Sequence, residues 1–225
     1  QSTGRHFVEA ILDSEPNRLS GRFRQLLYQQ TKGHALFTVE TLKSMQERGD
    51  LVQNEAGQWI EGPAVDWLAL PSRVEGIIAQ RINRLPAALQ EMLKIGSVEG
   101  EDFTAEVVAQ VRGVGVQDTI RQLSGELAKQ HRLVRGRGSL RLGSGGRRVS
   151  RYQFRHILFQ RFVYQGLDAA ERAYLHEAVG KALEQVHEGH TEPLATQLAR
   201  HFQASGLDLK AVGYLEQAEA QAVRS

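Results

Sequence analysis

Between Arg132 and Arg155 the chain carries eight arginines, no acidic residue and a Gly143-Ser144-Gly145-Gly146 run, while apolar residues on both sides recur at helical spacing. Glycine-rich stretches interrupt regular structure, so this chain reads as helices almost throughout, broken by one basic segment. Leu133-Val134-Arg135 and the residues from Val149 to Phe154 read as two strands around the glycine loop.

Upstream, Phe7, Ile11 and Leu12 predict a short helix closed by Glu15-Pro16-Asn17. Leu19 to Gln30 and Ala35 to Arg48 predict two more, the second with Leu36, Val39, Leu42 and Met45 on one stripe. Gly49-Asp50 ends it. Leu51-Val52 and Gly57-Gln58-Trp59-Ile60 then predict a hairpin with an Asn-Glu-Ala-Gly turn, and Gly62 to Pro71 reads as a linker. Val74, Ile77, Ile78, Ile82 and Leu85 form a helical face that opens a second unit. Pro86 suits the first turn of the next helix, which continues through Leu89, Met92 and Leu93. Thr104 is the expected N-cap of a helix reaching Val111. Val116 to His131 forms another, and the wing follows it. Three helices and a wing predict a winged-helix domain. Further on, Leu175, Val179, Ala182, Leu183 and Val186 share a stripe. The stretch from Glu192 to Ser225 fits one 34-residue tetratricopeptide-like repeat, with Leu198, Ala199, Phe202, Ala211, Leu215 and Ala218 at its apolar positions. The expected fold class is therefore mainly α: a small helical domain, a winged-helix domain with a short β wing, then helical hairpins. One repeat cannot bury its own outer face, which predicts a parent chain running past Ser225.

Composition narrows function by exclusion. Hydrophobic residues make up 41% and charged residues 24%, within the range of globular chains. No apolar run approaches the ~18 residues of a membrane span, and Gln1 to Arg5 lead straight into an amphipathic stretch, unlike a signal peptide. Cysteine is absent, which rules out thiolate metal sites and fits a reducing cytoplasm. The chain has no G-x-x-x-x-G-K-[ST] loop, no H-E-x-x-H and no G-x-S-x-G. His187 and His190 bracket Glu188-Gly189, with His176 and His201 on flanking helices. Their spacing matches no zinc pattern, so solvated or capping histidines and no metal are expected. The basic wing residues Arg135, Arg137, Arg141, Arg147, Arg148 and Arg151 suit either an interdomain surface or a phosphate backbone. A formal charge of +2 does not point to nucleic acid. Nor does Gln117 to Arg132, which mixes Asp118 and Glu126 with Arg121 and Lys129 where a basic recognition helix would be wanted.

Four segments carry a resemblance in their order: Thr31-Lys32-Gly33-His34-Ala35-Leu36-Phe37, Leu70-Pro71-x-x-Val74-Glu75-x-Ile77-Ile78-x-x-Arg81-Ile82, Tyr152-Gln153-Phe154-Arg155-His156-Ile157-Leu158-Phe159-Gln160, and Glu171-Arg172-x-x-Leu175-His176. Together they resemble the downstream part of STAND-class, AAA+-related signalling ATPases, in particular large bacterial regulators that fuse such an ATPase to cyclase, kinase or transcription-factor outputs. The resemblance implies a helical, lid-like domain over 1–62, a winged-helix domain over 63–166 and the start of a repeat array over 167–225. It implies ATP or ADP with magnesium in a preceding nucleotide-binding domain, and no cofactor in this chain. It also implies protein partners through the repeats, a cytoplasmic location and no membrane. In such proteins a Gly-x-Pro turn meets the adenine, a position held here by Gly33, His34 and Ala35, with Ala35 replacing the proline. A histidine ending the winged-helix strand meets the ADP β-phosphate, and Arg155-His156 stands there. The expected role is a relay of nucleotide state without ATPase activity of its own. An interaction scaffold without nucleotide coupling and a winged-helix DNA-binding module are the alternatives.

Overall fold

The computed structural model describes residues 2–63, 65, 67, 74–142, 148–188 and 190–224. The fold is mainly α: among the described residues there are eleven α-helices and two small antiparallel sheets. The chain packs as two units, Gln1–Leu85 and Pro86–Ser225.

In the first unit, α1 (Ser2–Leu12), α2 (Gly21–Thr31) and α3 (Ala35–Arg48) lead into the hairpin of β1 (Leu51–Gln53) and β2 (Trp59–Glu61) and then α4 (Val74–Asn83). Val8, Leu12, Phe23, Leu27, Met45 and Leu51 form its core, with Trp59, Val65 and Trp67 packed against it. Burying a side chain of this size contributes ~1.5–3 kcal/mol. The hairpin turn works through Asn54, whose Oδ1 accepts from the backbone N–H groups of Ala56 and Gln58. Gly57 takes the positive φ that the turn needs. Of the expected linker, residues 64, 66 and 68–71 lie outside the described part, while Trp67 sits 5.2 Å from the Phe23 ring.

The predicted stripe of α3 is not its most buried face. Leu36, Val39 and Leu42 are half-buried, whereas Phe37, Thr38, Glu40, Thr41, Ser44 and Met45 are buried. The reason is coverage: α1, α2, β1 and α4 all pack on α3, so more of its circumference is enclosed than one stripe can fill. The polar atoms taken inside are partly compensated. The Thr38 hydroxyl donates to the His34 carbonyl 3.0 Å away and lies the same distance from the Thr31 hydroxyl. Glu40 pairs with Arg81, both almost fully buried, and accepts from Lys43 at 3.3 Å. That pair explains why α4, placed by the sequence with the wing, packs on α3 instead: Arg81 brings its charge to Glu40, and Ile77 and Ile78 are buried alongside.

The second unit runs α5 (Ala87–Glu99), β3 (Asp102–Thr104), α6 (Ala105–Arg112), α7 (Val116–Gln122), β4 (Val134–Arg141) and β5 (Arg148–Phe154). Helix α7 continues without a break into a π-helical stretch, Leu123–Gln130. The sheet order β3-β5-β4, antiparallel throughout, is the winged-helix connectivity. Sequence reading found two of its three strands. The third, β3, has no signal in the sequence: its three residues pair Asp102 with Gln153, Phe103 with Tyr152 and Thr104 with Arg151, and α6 then starts after Thr104, the expected N-cap position. The Thr104 hydroxyl is not a cap: it donates to the Glu99 carboxyl at 3.1 Å, and the Thr104 N–H does the same. β4 also runs through Arg137-Gly138, read as loop, because a register shift between Gly136 and Ser139 absorbs Gly138 at φ 84°.

Helix α8 (Ile157–Gln165), α9 (Ala169–Val186), a 3₁₀ turn, α10 (Ala195–Ala204) and α11 (Asp208–Arg224) complete the unit. α8 and α9 pack on α5, α9 also packs on α6, and α10 packs on α9 and α11. Leu198, Ala199, Phe202 and Ala211 are buried as predicted, but Leu215 is exposed, as are Leu209 and Val212. Nothing in a single hairpin lies on that side of α11 to cover them. None of the helices is long and apolar enough to cross a membrane among the described residues.

Arg81→Met should lower the stability of the first unit by about 3 kcal/mol, because it strands a buried carboxylate, while Glu40→Met/Arg81→Met should recover most of that loss. Urea denaturation followed by tryptophan fluorescence, which reports Trp59 and Trp67, measures both.

Candidate functional site: the strand–helix joint at His156

Residue 156 is where extended backbone becomes helix. Phe154 ends β5 fully buried, Arg155 donates its N–H to the Leu133 carbonyl at 2.9 Å and its Nε to the Val134 carbonyl at 3.2 Å. His156 keeps a β conformation (φ −147°, ψ 139°) and acts as N-cap of α8, its Nδ1 accepting from the Leu158 N–H at 3.1 Å. Because Nδ1 accepts, the neutral ring carries its proton on Nε2. Nε2 has no partner among the described residues, and the side chain is half-buried and in contact with solvent. The guanidinium of Arg155 is exposed beside it. The joint therefore holds one imidazole donor and one cation free to meet an anion.

The other end of α8 is fastened differently. The Tyr164 hydroxyl lies 2.9 Å from His176 Nε2 on α9, and His176 Nδ1 lies 2.9 Å from His201 Nδ1 on α10. Both histidines are buried, neither solvated nor capping as their sequence context suggested, and His201 Nε2 is enclosed without a partner among the described residues. Arg172 lies over the Tyr164 ring at 4.7 Å and donates to the carbonyls of Tyr164 and Leu167. Arg200 reaches back to the Glu99 carbonyl at 3.2 Å. Burial, with help from Arg200 and Arg172, pulls His176 down to about 4. Burial, then His176 and Arg200, pulls His201 down to about 3. In the opposite sense, burial pushes the Glu99 carboxyl up to about 8, with Glu106 adding to the effect. These two histidines and Tyr164 were missed as a group because the sequence holds them 12 and 25 residues apart. The only sequence signal was His176 and His201 at apolar-face positions of their helices.

The other predicted residues fall elsewhere. In the first unit, Lys32 and Gly33 both take positive φ between α2 and α3, and a Cβ on Gly33 would lie 2.5 Å from the Gly4 backbone. Gly33 is thus required by φ and by close approach to α1, which accounts for it without a ligand. His34 repeats the role of His156: it N-caps α3, Nδ1 accepting from the Phe37 N–H at 3.3 Å, and it is exposed, as is Ala35. Of the wing arginines, Arg135, Arg137, Arg141, Arg148 and Arg151 are exposed on β4 and β5, and Arg147 lies outside the described residues. Arg151 also lines a cavity of about 210 Å³ with Glu99, Thr104, His187 and Gln197, to which no other predicted site residue contributes. His187 is buried and caps α9 against the Leu183 carbonyl, and His190 is exposed. No three potential metal ligands come together among the described residues.

The shifted groups set opposite pH dependences. The histidines are favoured neutral in the fold, so their contribution is complete above about 6.5 and is lost as pH falls toward 4. Glu99 is favoured protonated, so its contribution declines as pH rises from 4.5 to about 8. His201→Leu should flatten the acid limb of stability against pH. Glu99→Gln should gain on the wild type by up to about 1.4 kcal/mol per pH unit across that upper window. Denaturation midpoints from pH 4 to pH 9 measure both slopes.

No family model matches the chain, and no curated protein or solved structure matches it significantly.

Proposed function

We propose that the chain is the relay segment of a nucleotide-controlled signalling ATPase of the STAND class, passing nucleotide state from a neighbouring domain to helical repeats, and that it catalyses nothing itself. The observation that carries this reading is the free Nε2 of His156 at the strand–helix joint, next to the exposed Arg155. ADP held by the neighbouring domain would supply anionic phosphate oxygens, and a charge-assisted hydrogen bond to one of them contributes ~1.5–3 kcal/mol. That is the scale on which two domain arrangements are selected. The route onward is material. Helix α8 spans nine residues, roughly 13 Å, and begins at His156. At its far end Tyr164 joins His176 and His201 in a buried chain. A push on the N-cap is therefore felt by α9 and α10 through groups that cannot be left unpaired without cost.

The fit is uneven, and this bears on how a nucleotide would be held. The joint at His156 suits a phosphate. The turn at Gly33 is filled on one side by the Gly4 backbone, so a base would have to meet exposed His34 or Ala35 instead. No magnesium ligand set is assigned in this chain.

In the polypeptide that includes the nucleotide-binding domain, His156→Asn should speed ADP release at least ten-fold, the equivalent of ~1.4 kcal/mol. Asparagine is itself a good N-cap, so the melting temperature should stay within a degree or two of the wild type, whereas His156→Ala should lose both cap and retention. Equal ADP retention in the wild type and the Asn variant overturns the relay, as does ATP turnover by the isolated chain above a mock preparation.

A further inference from the structure

The β4–β5 ribbon has two halves. In the inner half Val134 pairs with Phe154 and Gly136 with Tyr152, and Val134, Tyr152 and Phe154 are buried. Past the register shift the ladder resumes as Ser139 with Ser150, Leu140 with Val149 and Arg141 with Arg148. Successive residues of a strand point to opposite faces, yet β4 is exposed at every position from Arg135 to Arg141. Only the Leu140–Val149 pair is turned toward the rest of the unit, where it lines the cavity beside α9.

The charges there are uncompensated. Arg135 donates to Gln153, and Arg151 lies 4.0 Å from Asp102, but Arg137, Arg141 and Arg148 have no hydrogen-bond or ion-pair partner among the described residues. Arg141 and Arg148 are direct cross-strand partners. Like charges placed opposite each other weaken a ladder, so this pair works against the hairpin that displays it, unless an anion sits between them. Every cation of the segment is arginine, with no lysine between Lys129 and Lys181. The planar guanidinium fork matches two oxygens of a phosphate, which an ammonium does not.

We propose that this ribbon is a binding surface for the phosphate backbone of duplex nucleic acid, with Arg137, Arg141 and Arg148 as its contacts. Shape selects this occupant. The major groove of B-form DNA is wide enough for a two-stranded β-ribbon and is walled by phosphates, which the guanidinium forks of Arg137, Arg141 and Arg148 would meet. Beyond the register shift the described residues are serine, leucine, valine and arginine, with no amide side chain to read a base edge. With Arg137, Arg141 and Arg148 committed to phosphates, recognition is independent of sequence and governed by phosphate contacts. It also needs no basic recognition helix, whose absence counted against a sequence-reading role. This inference does not rest on the relay and shares no contact residue with His156.

Fluorescence anisotropy with labelled duplexes of about 20 base pairs and scrambled sequence, as DNA and as RNA, titrated with the full chain over a range of salt, tests it. Binding should weaken steeply with salt and not depend on base sequence. Arg141→Ala/Arg148→Ala should weaken binding more than ten-fold at low salt and reduce the slope of log K against log salt by about 1.8, two contacts at about 0.9 each. Arg121→Ala, an exposed arginine outside the ribbon, should change neither. Arg148→Glu should bind worst of all while raising the melting temperature, because it replaces a like-charge pair with an opposite one. That result separates lost binding from lost folding. Absence of duplex binding overturns the proposal, as do an unchanged slope in the double variant and equal competition by polyglutamate of matched charge, which would assign the ribbon to an acidic protein partner. The DNA duplex should bind more tightly than the RNA duplex, whose A-form major groove is too narrow for a ribbon, and the reverse preference overturns the groove assignment.

Discussion

The hydrogen-bonded chain Tyr164–His176–His201 is the interaction on which the arrangement of the last helices depends. It joins α8, α9 and α10 through ring nitrogens only 2.9 Å apart, inside a region where both imidazoles are held neutral. Only one proton can lie between the two Nδ1 atoms, so each tautomer fixes the next, and the Tyr164 hydroxyl must answer as donor or acceptor accordingly. Such a chain contributes less to net stability than an apolar core of equal volume would, but it tolerates few alternative packings. The same unit places Glu99, whose carboxyl burial pushes up to about 8, under the 99–104 turn, and Arg200 of α10 donates to the carbonyl of that residue. Winged helix and helical hairpin are one packed body for this reason, and α9 lies on α5 and α6 as a core helix would.

Two histidines cap helices in this chain through the same nitrogen, His34 at α3 and His156 at α8. An imidazole used in this way spends one nitrogen on the backbone and keeps the other for a further partner. This removes the conflict between a structural and a functional reading of His156, because capping by Nδ1 is what orients a proton onto Nε2. His34 is exposed and could answer similarly, whereas the glycine before it is committed to packing against Gly4. Arg137, Arg141 and Arg148 of the wing have no partner among the described residues, and Arg141 and Arg148 are displayed on a ladder that their mutual repulsion weakens.

Helices were legible wherever one face was apolar at a period of 3.6, as in α9, whose five predicted core residues are all buried. The hairpin at Asn54 and the ends of α3 were legible from turn and cap chemistry, which is local. Three features were not. The face of α3 that is buried carries Thr38, Glu40, Thr41 and Ser44, because four neighbouring elements enclose the helix and hydropathy reports only one side. Strand β3 is three residues long and exists through its pairing with β5, nearly 50 residues away. The partner of Glu40 is Arg81, 41 residues on, and no local pattern links them.

The sequence by itself determined the class of fold, the position of the wing and the residues at which chain direction changes, because periodicity, glycine and capping side chains act within a few residues of themselves. Tertiary structure alone decided which polar groups went inside and with whom, which nitrogen of His156 was consumed and which stayed free, and that Arg137, Arg141 and Arg148 stand on an exposed ribbon with no partner among the described residues. Those outcomes depend on desolvation and on distances between residues far apart along the chain, and neither quantity exists until the chain has folded.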